Sequence, residues 1–176
     1  MNQPTVTIRR ATVEDAQMLS KFGAELFEAT FRGTCPDEDM NQQLADYYNI
    51  TQVTAELSDP DDYFHLLSLD AIVCGYSRLK KGNPPAEVIG SMRAIELKRL
   101  YFAQHTHGKG LAAKLMQFNL DLARKMQYQR VYLSVWEHNE RAKAFYRKLG
   151  FADTGIGNPF PIGETPQMDY WYTLDL

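Results

Sequence analysis

Leu100-Tyr101-Phe102-Ala103-Gln104-His105-Thr106-His107-Gly108-Lys109-Gly110-Leu111-Ala112 is the stretch on which the fold turns. A strand-like run ends at Phe102 and a short polar loop follows. Two glycines then open a segment, about 108–126, with Leu111, Leu115, Leu122 and Met126 in a helical stripe. The first N–H groups of a helix lack intrahelical acceptors, and that end carries partial positive charge. Glycines there let the backbone come close to a pyrophosphate, and Lys109 adds a cation. The same residues also suit a plain glycine turn that merely starts a helix.

The neighbouring pattern places this stretch in a sheet. Residues 94–102, 131–135, 63–69 and 71–79 read as strands, the last two joined at Asp70 as a hairpin. A short strand at 5–10 precedes a helix capped by Thr12, with Asp15 at the capping-box position. A helix opening at Cys35-Pro36-Asp37 carries Met40, Leu44, Tyr47 and Tyr48, and a shorter one spans 51–57. Residues 81–85 form a loop, 139–149 a helix ended by Gly150, and the chain closes in a hairpin around 159–166. Strands alternating with helices in the second half predict an α/β (α+β) sheet covered by helices. No repeat or low-complexity segment divides residues 1–176, so a single domain is expected.

The net charge of −3 conceals an asymmetry. Residues 33–77 hold nine acids and no Lys or Arg, whereas 78–176 hold fifteen Lys/Arg and nine acids. Such a division suggests two kinds of ligand. The acidic helical segment, about 33–62, and the basic half are expected to meet different ones. No apolar run is long enough to span a bilayer, and residues 1–10 lack the apolar region of a signal peptide, so no membrane partner is expected. Cys35 and Cys74 lack metal or redox spacing and read as free thiols of a cytoplasmic protein. A pI near 5.8 without aromatic-interleaved basic runs excludes a general nucleic-acid binder. His105 and His107 have no suitably spaced third ligand, so no metal is expected.

Three phosphate-binding readings compete at the glycine loop. A Walker A loop needs another spacing and a Ser or Thr after the Lys. Gly108-Lys109-Gly110-Leu111-Ala112-Ala113 matches G-x-G-x-x-G/A, but five residues separate it from its strand, where a dinucleotide fingerprint follows directly. The third ligand is coenzyme A. Here His107-Gly108-Lys109-Gly110-Leu111-Ala112 resembles the Q/R-x-x-G-x-G/A loop of the GNAT superfamily of acyl-CoA-dependent N-acetyltransferases, with His107 where Gln or Arg is usual.

A second segment shares the resemblance: Val135-Trp136-Glu137-His138-Asn139 followed by Phe145-Tyr146-Arg147-Lys148-Leu149-Gly150-Phe151 is similar to the family's strand–Asn–helix–Tyr–x–x–x–Gly–Phe run. From the residues alone, Asn139 is a helix cap, and Tyr146 stands one position off the buried stripe of Ala142, Phe145 and Leu149. The two motifs cover a cofactor core of about 94–151 in the family's order. The resemblance implies a mixed, mostly antiparallel sheet of six or seven strands and acetyl-CoA as co-substrate. It implies that the backbone of Leu100, Tyr101 and Phe102 pairs with the pantetheine arm. Amides of His107, Gly108, Lys109, Gly110, Leu111 and Ala112 would hold the pyrophosphate, Asn139 would contact the arm, and Tyr146 would protonate the departing thiolate.

The amine acceptor also needs a base, because a group with pKa of about 10 is almost wholly protonated near pH 7. Glu96, on the strand leading to the loop, is the candidate. The front half and the tail Phe160-Pro161-Ile162-Gly163-Glu164-Thr165-Pro166-Gln167-Met168-Asp169 resemble PaiA-like spermidine/spermine acetyltransferases, which implies a small cationic amine such as a polyamine. Amino acids, peptide N-termini and aminoglycoside-like amines are the other acceptors. A CoA-responsive binding module without turnover is the alternative from another class, and a homodimer is the prior for small α/β enzymes.

Overall fold

The structure is a computed structural model describing residues 4–176; the signal-peptide reading of 1–10 therefore lies partly outside the described residues. β1 (Val6–Arg10) leads to α1 (Ala16–Phe31), α2 (Asp37–Tyr47) and α3 (Ile50–Ser58), and then to β2 (Asp62–Leu69) and β3 (Ile72–Lys80). One helical turn, α4 (Ala86–Ile89), precedes β4 (Ala94–Phe102), α5 (Leu111–Lys125), β5 (Arg130–Trp136), α6 (Glu140–Lys148), β6 (Ala152–Pro159) and β7 (Met168–Asp175). The strands form a seven-stranded sheet in the order β1-β2-β3-β4-β5-β7-β6. Only β4 and β5 are parallel neighbours; every other pairing is antiparallel. The mixed, mostly antiparallel architecture is the one expected.

Local chemistry accounts for the boundaries. Thr12 N–H donates to Asp15 Oδ2 at 2.8 Å, closing the anticipated capping box ahead of α1. Asn49 Oδ1 accepts from Gln52 N–H at 2.8 Å and starts α3. The helix expected from 108 begins at Leu111, because Gly108 and Gly110 take left-handed φ values of +77° and +72°. Asp70 and Ala71 both have positive φ, so the β2–β3 hairpin closes on a two-residue turn and its second strand starts at Ile72 rather than at residue 71. The turn of α4 after Pro85 is too short to leave a periodic signal.

Both faces of the sheet are covered, which is why β2 and β3 read as nearly unbroken apolar runs. On one face Ala16 and Leu19 of α1 and Val53 of α3 pack on Phe64, Leu66 and Tyr76. On the other, Met116, Leu120 and Ala123 of α5 pack on Ile95, Leu97, Leu133 and Val135, joined by Phe145 and Tyr146 of α6. β4 changes face partway. Arg78 and Leu79 of β3 pair with Arg99 and Leu97, which leaves Lys98 as a bulge. Past it Arg99 and Tyr101 face α1–α3, while Leu100 and Phe102 face α5.

The acidic segment does not form a free anionic wall. Arg78 places Nη1 2.8 Å from Glu56 of α3 and Nη2 2.7 Å from Asp62, and Arg99 Nη1 lies 2.9 Å from the second Glu56 oxygen. Lys80 pairs with Asp62 and Asp59, and Lys81 with Asp61. Asp39 accepts from Glu164 N–H at 3.2 Å and from the Thr165 hydroxyl, fixing the β6–β7 connection. Four of the nine acids in 33–77 thus have cationic partners from the basic half, and those of Glu56 clamp α3 onto β3 and β4. Removing the Glu56 carboxylate strands Arg99 and leaves Arg78 with Asp62 alone. Glu56→Gln is expected to destabilise by about 3–5 kcal/mol in urea unfolding, against less than about 1 kcal/mol for the exposed Asp61→Asn.

Candidate active site

β4 and β5 are paired only at Ala94↔Arg130, Ile95↔Val131 and Glu96↔Tyr132. Beyond this apex β4 continues to Phe102 beside β3 alone, and β5 continues to Trp136 beside β7 alone. The facing edges therefore carry backbone N–H and C=O groups without a strand partner. Unpaired strand edges between covered sheet faces fit an extended, amide-bearing chain that adds to β4 as a strand would. Leu100, Tyr101 and Phe102 all lie on this free edge. The ring of Phe102 lies over Gly75, where a Cβ would come within 2.3 Å of it.

The glycine loop stands at the open end. Thr106 is buried and its hydroxyl donates to Ala103 O at 2.6 Å, fixing the turn after β4. Left-handed Gly110 then caps α5 without a side-chain bond, so the first-turn amides from Leu111 onward face outward. A Cβ at Gly108 or Gly110 would meet nothing within 4 Å; the glycines are needed for their backbone angles and leave space above the loop. His107 and Lys109 are exposed beside it.

Arg141, from the first turn of α6, brings Nη1 2.8 Å from His107 Nδ1, and His107 Nε2 lies 3.3 Å from Phe102 O. Because Arg141 can only donate, His107 is neutral with its proton on Nε2. Desolvation, followed by the charge of Arg141, holds the imidazole below its ordinary pKa. Arg141 was absent from the expected site. It brings a guanidinium beside His107, the position where the resemblance has Gln or Arg, and its place in the first turn of α6 carries no separate sequence signal.

Asn139 Oδ1 accepts from Ala142 N–H at 3.0 Å, capping α6. At the far end Gly150, with φ +94°, allows Phe151 N–H to reach Tyr146 O at 3.0 Å. The Tyr–x–x–x–Gly–Phe spacing is therefore a helix-terminating motif that fixes the Tyr146 backbone. The Tyr146 ring packs against Phe145 and Phe151 with centroids 5.2 and 5.6 Å away, and burial raises its phenol above the ordinary range.

Glu96, expected as the base, sits at the apex, 7% exposed, with Oε1 3.2 Å from Lys98 Nζ. A second carboxylate lies on the same face. Asp169 of β7 accepts from the Ser134 hydroxyl at 2.7 Å, and burial raises its pKa above the usual carboxylate range. Thirty-five residues separate these partners, and only the β5–β7 pairing brings them together. Around the opening Trp136 packs on Phe31 with centroids 5.2 Å apart, and Tyr101 on Tyr76 at 5.9 Å. Among the described residues no three His, Cys, Asp or Glu side chains converge on a common point, and no helix is long and apolar enough to cross a membrane.

The sequence pattern of the Acetyltransferase (GNAT) family matches residues 22–151. The chain belongs to the GNAT acetyltransferase family. By that membership it is an acyltransferase of the N-acetyltransferase type. A GNAT relative described as an uncharacterised N-acetyltransferase of Lactobacillus delbrueckii subsp. lactis is 28% identical over 165 residues, 94% of each chain. A Bacillus subtilis subsp. natto protein named as a probable spermine N(1)-acetyltransferase is 35% identical over 62 residues, 35% of this chain and 41% of that one. The crystal structure of the Thermoplasma acidophilum PaiA N-acetyltransferase in complex with coenzyme A has the same fold, with a TM-score of 0.78 and 20% identity over 98% of this chain and 99% of that one.

The Arg141–His107 pair of this GNAT chain can be tested without a ligand. Replacing Arg141 by Ala removes a cation that disfavours the imidazolium, so the His107 pKa is expected to rise in an NMR titration. An unmoved titration would show the two groups to be apart in solution.

Proposed function

We propose that this GNAT chain, acting as one unit over residues 1–176, transfers acetyl from acetyl-CoA directly to the primary amine of a small acceptor. The observation that carries the reading is the separation of β4 from β5 beyond Glu96 and Tyr132, with the glycine loop and α6 at its open end. The residues fit the co-substrate: free edges at Leu100, Tyr101 and Phe102 suit the pantetheine amides, and the loop from His107 through Gly108, Lys109, Gly110 and Leu111 to Ala112 suits the pyrophosphate. Arg141 adds a cation beside that loop, and Asn139 presents its amide at the start of α6. When bound, acetyl-CoA supplies the activated thioester carbonyl.

The chain supplies position and proton control. Tyr146, on the face shared by α5 and α6, keeps its phenol protonated at neutral pH and donates to the leaving sulfur. The acceptor approaches from the α1–α3 face, where Glu96 and Asp169 are the buried carboxylates for its proton. A polyamine is the second reading of the acceptor, favoured by the short match to the spermine enzyme. The pairing of Glu56, Asp59, Asp61 and Asp62 with Lys and Arg weakens the electrostatic reason for a polycation and favours an amine with one ammonium group.

A thiol-release assay with acetyl-CoA and a panel of spermidine, kanamycin, leucinamide and phenethylamine tests the activity; release with none of them leaves a CoA-binding module. Tyr146→Phe is expected to lower kcat by about a hundredfold while the acetyl-CoA Kd stays within about twofold. Arg141→Ala is expected to weaken acetyl-CoA binding by roughly threefold to tenfold, with a smaller effect at high salt, because an exposed charge-assisted contact is screened.

A further inference from the structure

Asp169 is the one carboxylate around the opening whose bonding is incomplete. It is 8% exposed, and its Oδ2 accepts from Ser134, but its Oδ1 is buried without any partner among the described residues. A buried carboxylate oxygen left without a donor is costly, and native folds rarely keep one for structure alone. Trp136, opposite Asp169 in the β5–β7 register, gives its indole N–H to Gln167 Oε1 at 2.8 Å, and the Trp171 indole N–H, two residues along β7, is itself buried without a partner among the described residues. Asp169 is level with Trp136, four residues beyond the last β4–β5 pair, and so stands one strand away from the open part of the cleft, alongside it. Burial raises its pKa, while the hydrogen bond from Ser134 and the charge of Lys98 act the other way. Glu96 has none of this availability, since it lies at the paired apex with Lys98 on its Oε1.

We infer that Asp169, oriented by Ser134, receives the acceptor's ammonium group and is the catalytic base of the transfer, a role that rests on the acetyltransferase reading above. Asp169 Oδ1 takes one proton from R–NH3+, freeing the nitrogen lone pair. That pair forms the N–C bond to the acetyl carbon as the C–S bond breaks, and the C–S electrons remain on sulfur. Sulfur takes the phenolic proton of Tyr146, the nitrogen releases its surplus proton to solvent, and the phenolate regains one from solvent. The products are a neutral secondary amide, the free thiol and one proton on Asp169, which passes to solvent. Acid and base stand on opposite faces of the sheet, with Asp169 on the Trp136 side and Tyr146 in the α5–α6 cluster, so attack and departure do not compete for one space.

The test compares wild type, Asp169→Asn and Glu96→Gln with the fastest amine of the panel. For Asp169→Asn, kcat/KM at pH 7 is expected to fall by about a hundredfold or more with the acetyl-CoA KM within about twofold. The variant's rate should then climb about tenfold per pH unit toward the amine's own pKa, because only the fraction already neutral can react. Ser134→Ala should shift the acidic limb of the wild-type profile without that recovery. A readout independent of turnover is the melting temperature of the ligand-free protein. Asp169→Asn should leave it unchanged or raise it, since it removes an incompletely satisfied buried charge, whereas a structural carboxylate would lower it. Wild-type turnover alongside an equally active Asp169→Asn, a fall in melting temperature that accounts for the lost activity, or high-pH recovery in Glu96→Gln instead would overturn the inference alone. Absence of thiol release from the wild type with every amine would overturn the acetyltransferase reading and this role with it.

Discussion

β4 has a strand partner along one edge and, over most of its length, none along the other. That constraint organises the rest of the molecule. Backbone groups at a free edge are tolerated only when something else bonds to them, and between two helix-covered faces bulk water is a poor substitute. The bulge at Lys98 begins where pairing to β5 ends and turns Arg99 and Tyr101 toward α1–α3 while Leu100 and Phe102 turn toward α5. One extra residue therefore separates the strands and sends the two sets of side chains to opposite faces. The glycine loop and the start of α6 then stand at the same end of the opening, because parallel strands place their following helices alike.

The charges follow the same logic. Arg78 of β3 and Arg99 of β4 share Glu56, and Arg78 also takes Asp62 in a two-bond contact. This network ties the helical segment of the first half to the sheet at the level where β4 resumes past its bulge. Glu56, one of the acids of the sequence's anionic block, is thus used to hold α3 in place. The proposed acceptor contact is local: a half-satisfied carboxylate at Asp169 near aromatic side chains.

Much of the cofactor side was legible in the chain itself, because its signals are local. Gly108 and Gly110 mark left-handed backbone ahead of a helix, Asn139 caps the next one, and Gly150 ends it four residues after Tyr146. The acceptor side was legible only in part. Glu96 could be singled out by its strand, but its pairing with Lys98 depends on a bulge that no periodicity announces. Asp169 and Ser134 meet through strand register, Arg141 and His107 across two loops, and Glu56 with Arg99 from helix to sheet. Contacts of long sequence separation leave no spacing to read.

In the proposed reading, β4 completes its hydrogen bonding with the co-substrate. Hydrogen–deuterium exchange of the β4 amides, residue by residue with and without saturating acetyl-CoA, tests it most directly. Protection is predicted to rise at residues 97–102 and at the loop 107–112, with little change in β1 and β2 at the far edge of the sheet. Saturable binding that leaves the amides of 97–102 exchanging as before would contradict the account.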